Sequence, residues 1–295
     1  MLEFRVLRYF LAIAREGNIT RAANTLHVTQ PTLSRQIQEL EDRLGHKLFI
    51  RSSHSVALTE EGILLRKRAE EILDLVGKTE AEFDNFRSEI TGDVYIGGGE
   101  TAAIRFVADV INELITAYPK MHFHLYSGNA SDVTYRLDKG LIDFGILIEP
   151  ADISKYDYVR LPSSDRWGVI MRKDDPLAYK KFIEKSDLVD LPLIMSRQAI
   201  DAKEDNKFIK WFGDDFEKLN IIATFNLLFN AAMLAKNGTG YIVSIDNIIN
   251  TGDDSDLCFI PLKPELKSGL VLVWKKYQVF SPAAATFLQT LKKHL

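Results

Sequence analysis

Between Thr59 and about Ser88 the chain has no proline, and Leu65, Ala69, Ile72, Val76, Thr79, Phe83 and Phe86 recur at an unbroken 4-3-4-3-4-3 spacing. That periodicity predicts a coiled-coil seam on one continuous helix, about 40 Å long at a rise of ~1.5 Å per residue. A helix of this length is too exposed to stand alone, and clusters such as RKR and EE flank its apolar stripe. Its cover is either a second copy of itself or the body of its own domain. The helix also divides the chain into three stretches: a head over residues 1–58, a linker and dimerisation helix over 59–90, and a body over 91–295.

Charge follows the same division. The 295 residues sum to −4, but residues 1–58 hold eight Lys/Arg against five Asp/Glu, residues 59–91 five against nine, and residues 92–295 twenty-four against twenty-seven. Only the head is basic, so any surface for nucleic acid is expected there. A single cysteine, Cys258, excludes an intrachain disulfide and a cysteine-cluster zinc site. It reads as a small buried residue of a strand. No apolar run approaches the roughly 18 residues of a membrane span, so a soluble, cytoplasmic protein without membrane contact is expected.

The head reads as three short helices and a hairpin. Phe4, Leu7, Leu11 and Ala14 mark an amphipathic first helix that Gly17-Asn18 ends, and Thr20 is expected to cap a second with Ala22 and Ala23 at a close crossing. Thr29 caps a third, with Pro31 in its first turn and Gly45 as its stop. Leu33, Ile37, Leu40 and Leu44 form its buried stripe. The opposite face carries Arg35 and Gln38, flanked by Ser34, with Gln30 and Thr32 at the tip. Arginine can pair with guanine and glutamine with adenine in the major groove; the alternative is an ordinary solvated helix face. LFIR and VAL flank SSHS as a hairpin, and Thr59 caps the long helix.

FLAIAREGNITRAANTLHVTQPTLSRQIQELEDRLGHKLFIR, followed by VALTEEG, is similar almost throughout to the DNA-binding signature of LysR-type transcriptional regulators. The resemblance implies a bacterial, sequence-specific regulator with an N-terminal winged helix-turn-helix. By matching position it places Thr20, Gln30, Pro31, Thr32, Ser34, Arg35 and Gln38 at duplex DNA, with Arg51 as a wing contact to phosphate. The family usually has arginine at the wing tip where this chain has His54. The resemblance further implies an antiparallel dimer helix carrying Leu65, Ala69, Ile72, Val76, Phe83 and Phe86, a dimer or tetramer, and contact with RNA polymerase. Two heads about one DNA turn apart, or a multiple of it, imply an operator that is an imperfect inverted repeat.

The body alternates elements. DVYIGG, the helix of TAAIRFVADVINELITAY, MHFHLYS, a helix near 131–138 and DFGILIE give a β-α-β-α-β order, hence a parallel sheet. A second unit follows, with strands near WGVIMR, PLIMS, NIIATF and GYIVS and helices near 204–213 and 227–236. SGLVLVWKK is expected to return the chain, and SPAAATFLQTLKKHL to close it as a helix on the first lobe. The expected lobes are 91–163 with 268–295, and 164–267, around a cleft. The pattern resembles the periplasmic-binding-protein-like α/β effector domain of the same family, most strongly in SGNASDVTYRLDKGLIDFGILIEP. That resemblance implies a small-molecule effector, with no other cofactor, held by Gly99, Glu100, Thr101, Ser127, Gly128, Asn129, Ser196, Arg197 and Asn226. Ser127-Gly128-Asn129 also reads as a plain helix cap, and Arg197 as a surface residue.

Other chemistries find little in the letters. Gly97-Gly98-Gly99-Glu100-Thr101-Ala102 fits the dinucleotide pattern G-x-G-x-x-A, but the next strand ends in Tyr126-Ser127 rather than the acidic residue such a site wants. His122 and His124 share one strand face with no third metal ligand nearby in sequence. No acid, base and nucleophile stand at a catalytic spacing, so no enzyme is expected. A rival class remains: a ligand-binding or catalytic α/β protein whose head only dimerises it.

Overall fold

The computed structural model describes residues 2–51, 56–84, 90–201 and 206–295. His54 and Phe86 lie outside the described residues, as do the side chains of Arg51 and Phe83. Residues 1–84 and 85–295 form two compact units.

In the first unit, α1 (Phe4–Glu16) buries Val6, Leu7, Phe10 and Ile13, and Gly17 closes it at φ +59° with its N–H on the Ile13 carbonyl. The left-handed φ is open to glycine at no steric cost. In α2 (Ile19–Thr25) the cap is Asn18, whose side chain accepts from the Arg21 N–H at 3.0 Å. Thr20, expected to be the cap, is the helix's second residue and is exposed. Asparagine and threonine both cap well, and their order along the chain left the choice to backbone geometry. Ala22 and Ala23 are fully buried, which lets the helices cross closely. α3 (Gln30–Leu44) starts at Thr29, ends at Gly45 and buries Leu33, Ile37 and Leu40. β1 (Phe49–Arg51) and β2 (Val56–Leu58) pair antiparallel. The Thr59 hydroxyl then accepts from the Gly62 N–H at 2.9 Å to begin α4 (Glu60–Asp84).

The seam read on α4 needs correction over its first half. Ala69 is 0% exposed and Leu65 and Ile72 are half-buried, all three packed into the core of α1–α3 rather than facing out. A heptad spacing fixes which residues share a face, not what covers it, and here the covering element is α1. A second apolar row stays open: Leu64 and Leu75 are 60% and 42% exposed. Eleven residues apart, they project within ~20° of each other on a helix of ~100° per residue.

The second unit carries one nine-stranded sheet. Its first lobe runs β3 (Gly92–Gly98), α5 (Ile104–Ala117), β4 (Met121–Ser127), α6 (Ala130–Asp138) and β5 (Phe144–Ile148). β6 (Tyr156–Arg172) crosses to the second lobe, which holds β7 (Leu193–Ser196), α7 (Arg197–Asp201), α8 (Lys207–Phe212), β8 (Ile221–Phe225), α9 (Leu228–Lys236), β9 (Tyr241–Ile245) and β10 (Leu257–Pro261). β11 (Lys267–Lys275) returns, and α10 (Pro282–Lys293) buries Ala283, Phe287 and Leu291 against the first lobe, as the sequence implied.

Sheet order is β4-β3-β5-β11-β6-β9-β7-β8, with β10 on β6. β3 pairs in parallel with β4 and β5, the arrangement the β-α-β order implied. β6 and β11 pair antiparallel from Arg166 opposite Lys267 to Tyr156 opposite Lys275, so two long strands join the lobes. The half of β6 before Trp167 escapes the sequence pattern, as does β10 apart from Cys258: YDYVRLPSSDR alternates poorly, and Pro162 and two serines read as loop. Cys258 lies in β10 but is only half-buried.

Candidate functional site

Two regions gather the residues singled out above. On α3, Gln30, Pro31, Thr32 and Arg35 are exposed and Ser34 and Gln38 half-exposed, on the side opposite the buried stripe. The Arg35 side chain is 80% exposed, and its Nε donates to Glu39 at 2.8 Å. Gln38 donates to Asp42 at 2.7 Å and accepts from Lys47 at 3.3 Å. Thr32 shares a 2.8 Å hydroxyl contact with the cap Thr29. These are exposed, low-cost pairings that a base edge or phosphate can replace.

Behind this face lies a residue the periodicity missed. Glu41 is 2% exposed and accepts from the Leu48 N–H at 2.9 Å, the Phe49 N–H at 3.3 Å and Lys47 Nζ at 2.9 Å. Burial works against its charge, but the Lys47 ammonium and the two amides outweigh it and hold its pKa below the ordinary glutamate value. The carboxylate thus fastens the start of β1 to α3. A signal existed, because Glu41 sits four residues after Ile37, inside the apolar stripe.

In the second unit the cleft between the lobes holds a narrow inner cavity of about 90 Å³ and an outer recess of about 400 Å³. Gly99, Glu100, Gly128, Asn129, Ser196 and Asn226 line the inner cavity, while Thr101 and Ser127 line the outer recess. Arg197 lines neither; its Nη2 reaches Thr224 Oγ1 at 3.4 Å. Its neighbour Gln198 takes the expected place, accepting from the Ala130 N–H across the cleft at 3.0 Å. Asn129 does serve as a cap, in a reciprocal pairing with Asp132.

Thr101 lines the recess with its hydroxyl already engaged. It is 7% exposed, and its hydroxyl donates to Asp165 Oδ2 at 2.5 Å while accepting from the Ala103 N–H at 3.1 Å. Asp165 stands where β6 passes between the lobes, beside Asp246, which accepts from Arg166 N and Nε at 3.1 Å each. Burial pushes the Asp165 carboxyl up, the Thr101 hydroxyl pulls it back, and the Asp246 charge pushes it up further. Glu100 reaches across the cleft to the first N–H of α9, Leu228, at 3.1 Å. Both cross-cleft bonds therefore run from a side chain of one lobe to a helix N-terminus of the other. Sequence reasoning also missed Glu149, Trp167 and Phe208 in the cavity wall.

His122 and His124 are exposed on β4, and His124 pairs with Asp93 at 2.7 Å. Among the described residues no three side chains of metal-ligand type converge, and no helix is long and apolar enough to cross a membrane.

A helix-turn-helix with a two-strand wing, followed by two lobes around a cleft, defines a DNA-binding regulator with a ligand-sensing domain. The description "Bacterial regulatory helix-turn-helix protein, lysR family" matches residues 4–63, and "LysR substrate binding domain" matches residues 87–295. The chain belongs to the LysR family of transcriptional regulators and is not an enzyme. Among its relatives, the Hca operon transcriptional activator HcaR of Escherichia coli is 26% identical over 100% of this chain and 98% of its own. The uncharacterized regulator YvbU of Bacillus subtilis is 29% identical over 80% of this chain and 79% of its own. The fold matches that of CbnR complexed with its target DNA at a TM-score of 0.75, with 20% identity and full coverage of both chains.

Proposed function

We propose that this regulator binds an imperfect inverted-repeat operator as a homo-oligomer, a dimer or tetramer, in the cytoplasm, and acts on RNA polymerase under control of a small molecule in the interlobe cavity. The observation that carries the reading is the cavity, walled by side chains of both lobes and bridged by Glu100 and Gln198. A ligand seated there prefers one lobe spacing, and its differential affinity for two states of the oligomer does the switching.

Selection of bound fragments from genomic DNA, followed by gel-shift titration on the recovered operator, tests the head. Arg35→Ala is expected to weaken specific sites by about 1–3 kcal/mol, roughly 5- to 150-fold, and nonspecific DNA much less. Equal losses on every sequence would make Arg35 a phosphate contact. Ala199→Trp, which fills the cavity, is expected to leave operator affinity near wild type and abolish the ligand response. A ligand response that survives it would place the effector elsewhere.

A further inference from the structure

At three helix starts the interlobe cavity already supplies its own acceptors. A helix N-terminus offers N–H groups and a positive dipole end to a carboxylate, and four helices, α6, α7, α8 and α9, begin beside this cavity, three of them with their leading N–H groups already bonded to side chains. At α6 the Ala130 N–H donates to Gln198 and the Asp132 N–H to Asn129, each at 3.0 Å. At α9 the Leu228 N–H donates to Glu100 at 3.1 Å, and at α8 the Phe208 N–H donates to Asn206 at 2.9 Å. At these three starts an incoming carboxylate would have to displace oxygens the protein itself supplies.

What the lining leaves on offer is negative charge and aromatic surface. Glu100 and Glu149 both line the cavity, against one cation among the described residues, Lys207, which is exposed in the first turn of α8. Glu149 Oε1 lies 3.4 Å from Arg160 Nε, on a side chain 64% exposed to water. Its Oε2 lies against Gly269, where a Cβ would come within 2.5 Å of it and the carboxylate would have to shift. Trp167 and Phe208, with ring centroids 4.5 Å apart, line the same cavity, and the Trp167 Nε1–H is taken up by Ser268 at 2.9 Å. Carboxylates accept and cannot donate, and aromatic faces attract cations.

We propose that the effector is an organic cation, a primary amine on an apolar body, held between the Trp167–Phe208 wall and the Glu100 and Glu149 carboxylates. This rests on the reading of the cavity as the effector site and names its ligand class. A carboxylate has about four acceptor positions, so Glu100 can hold an ammonium while keeping the Leu228 N–H, and such a ligand strengthens the bridge between the lobes.

The test uses the purified full-length chain and three matched triads, each with one body and three head groups. They are 2-phenylethylamine, 3-phenylpropionate and 2-phenylethanol; tryptamine, indole-3-propionate and tryptophol; and isopentylamine, 4-methylpentanoate and isopentanol. Calorimetric titration is expected to rank the amine at least tenfold tighter than its partners in at least one triad. Glu149→Gln is expected to remove at least tenfold of that affinity, and Glu149→Asp, which keeps the charge, to restore part of it. A carboxylate or alcohol that binds as well as its amine overturns the proposal, and so does silence from all nine compounds. Ala199→Trp separates the two readings. If it abolishes binding of a carboxylate, the cavity stands as the effector site and only the amine class falls; if it leaves amine binding intact, the site lies elsewhere and both readings fall.

Discussion

Glu41 shows how one side chain ties the recognition helix to the wing. Its three bonds to Lys47, Leu48 and Phe49 bridge a sequence separation of six to eight residues and fix the turn between α3 and β1. Glu41→Gln keeps an acceptor but turns an amide toward Lys47. The amides of Leu48 and Phe49 are then expected to exchange with deuterium about tenfold faster, the equivalent of ~1.4 kcal/mol of lost local stability. Because the folded pKa is depressed, this support is fully present above the ordinary glutamate range and is lost only as pH falls through the lowered folded value. Exchange rates that match wild type at pH 7 would mean that the neutral amide serves as well as the charge. The same residue marks a limit of pattern reading. The stripe Leu33, Ile37, Leu40 was legible because apolar burial repeats with the helix, whereas for an acid inside that stripe the position signals burial and only partners elsewhere in the chain show what holds it.

At the scale of elements, caps and breaks were the most legible features. Gly17, Thr29, Gly45 and Thr59 end or start the helices expected of them, because each acts on backbone groups within a few residues. The seam of α4 was legible as a face but not as a contact, and Leu65, Ala69 and Ile72 turned out to serve α1. If α4 carries self-association, the row that the unit leaves open is the one free to do so. Leu64→Glu with Leu75→Glu puts charge on that row without touching the buried one, and is expected to shift the oligomer toward monomer at micromolar concentration while far-ultraviolet circular dichroism stays unchanged. Sedimentation velocity reads the outcome, and an unaltered profile would place self-association off α4. Within the cleft, the glycines and small polar residues at strand ends were found from the sequence. Glu149, Trp167 and Phe208 were not, because they come from three separate segments that only the crossing of β6 and β11 brings together.

Across the whole molecule, the joint between the lobes concentrates unfavourable charge. Asp165 lies in β6 at the crossing, bonded to Thr101 just before α5 in one lobe and close to Asp246 just after β9 in the other. Burial is the largest influence on its carboxyl and the neighbouring acid adds to it, so its folded pKa lies above the ordinary aspartate value. A raised pKa on an acid means that the folded state keeps a proton the unfolded chain has already released. Unfolding free energy from this group therefore falls as pH climbs from the unfolded to the folded pKa, and the penalty is complete above the latter. Asp165→Asn removes the charge while its carbonyl oxygen can still accept from Thr101. The second unit is then expected to melt higher at pH 7.5, by about 2–4 °C for each kcal/mol relieved, with the gain shrinking as pH falls through the raised folded pKa and the wild-type carboxyl takes up its proton. Scanning calorimetry of both full-length proteins across that range measures the difference directly. A variant that melts lower at pH 7.5 would show that the charge-strengthened bond to Thr101 outweighs the cost of burial, making ionised Asp165 a clasp on the joint instead of a strain within it.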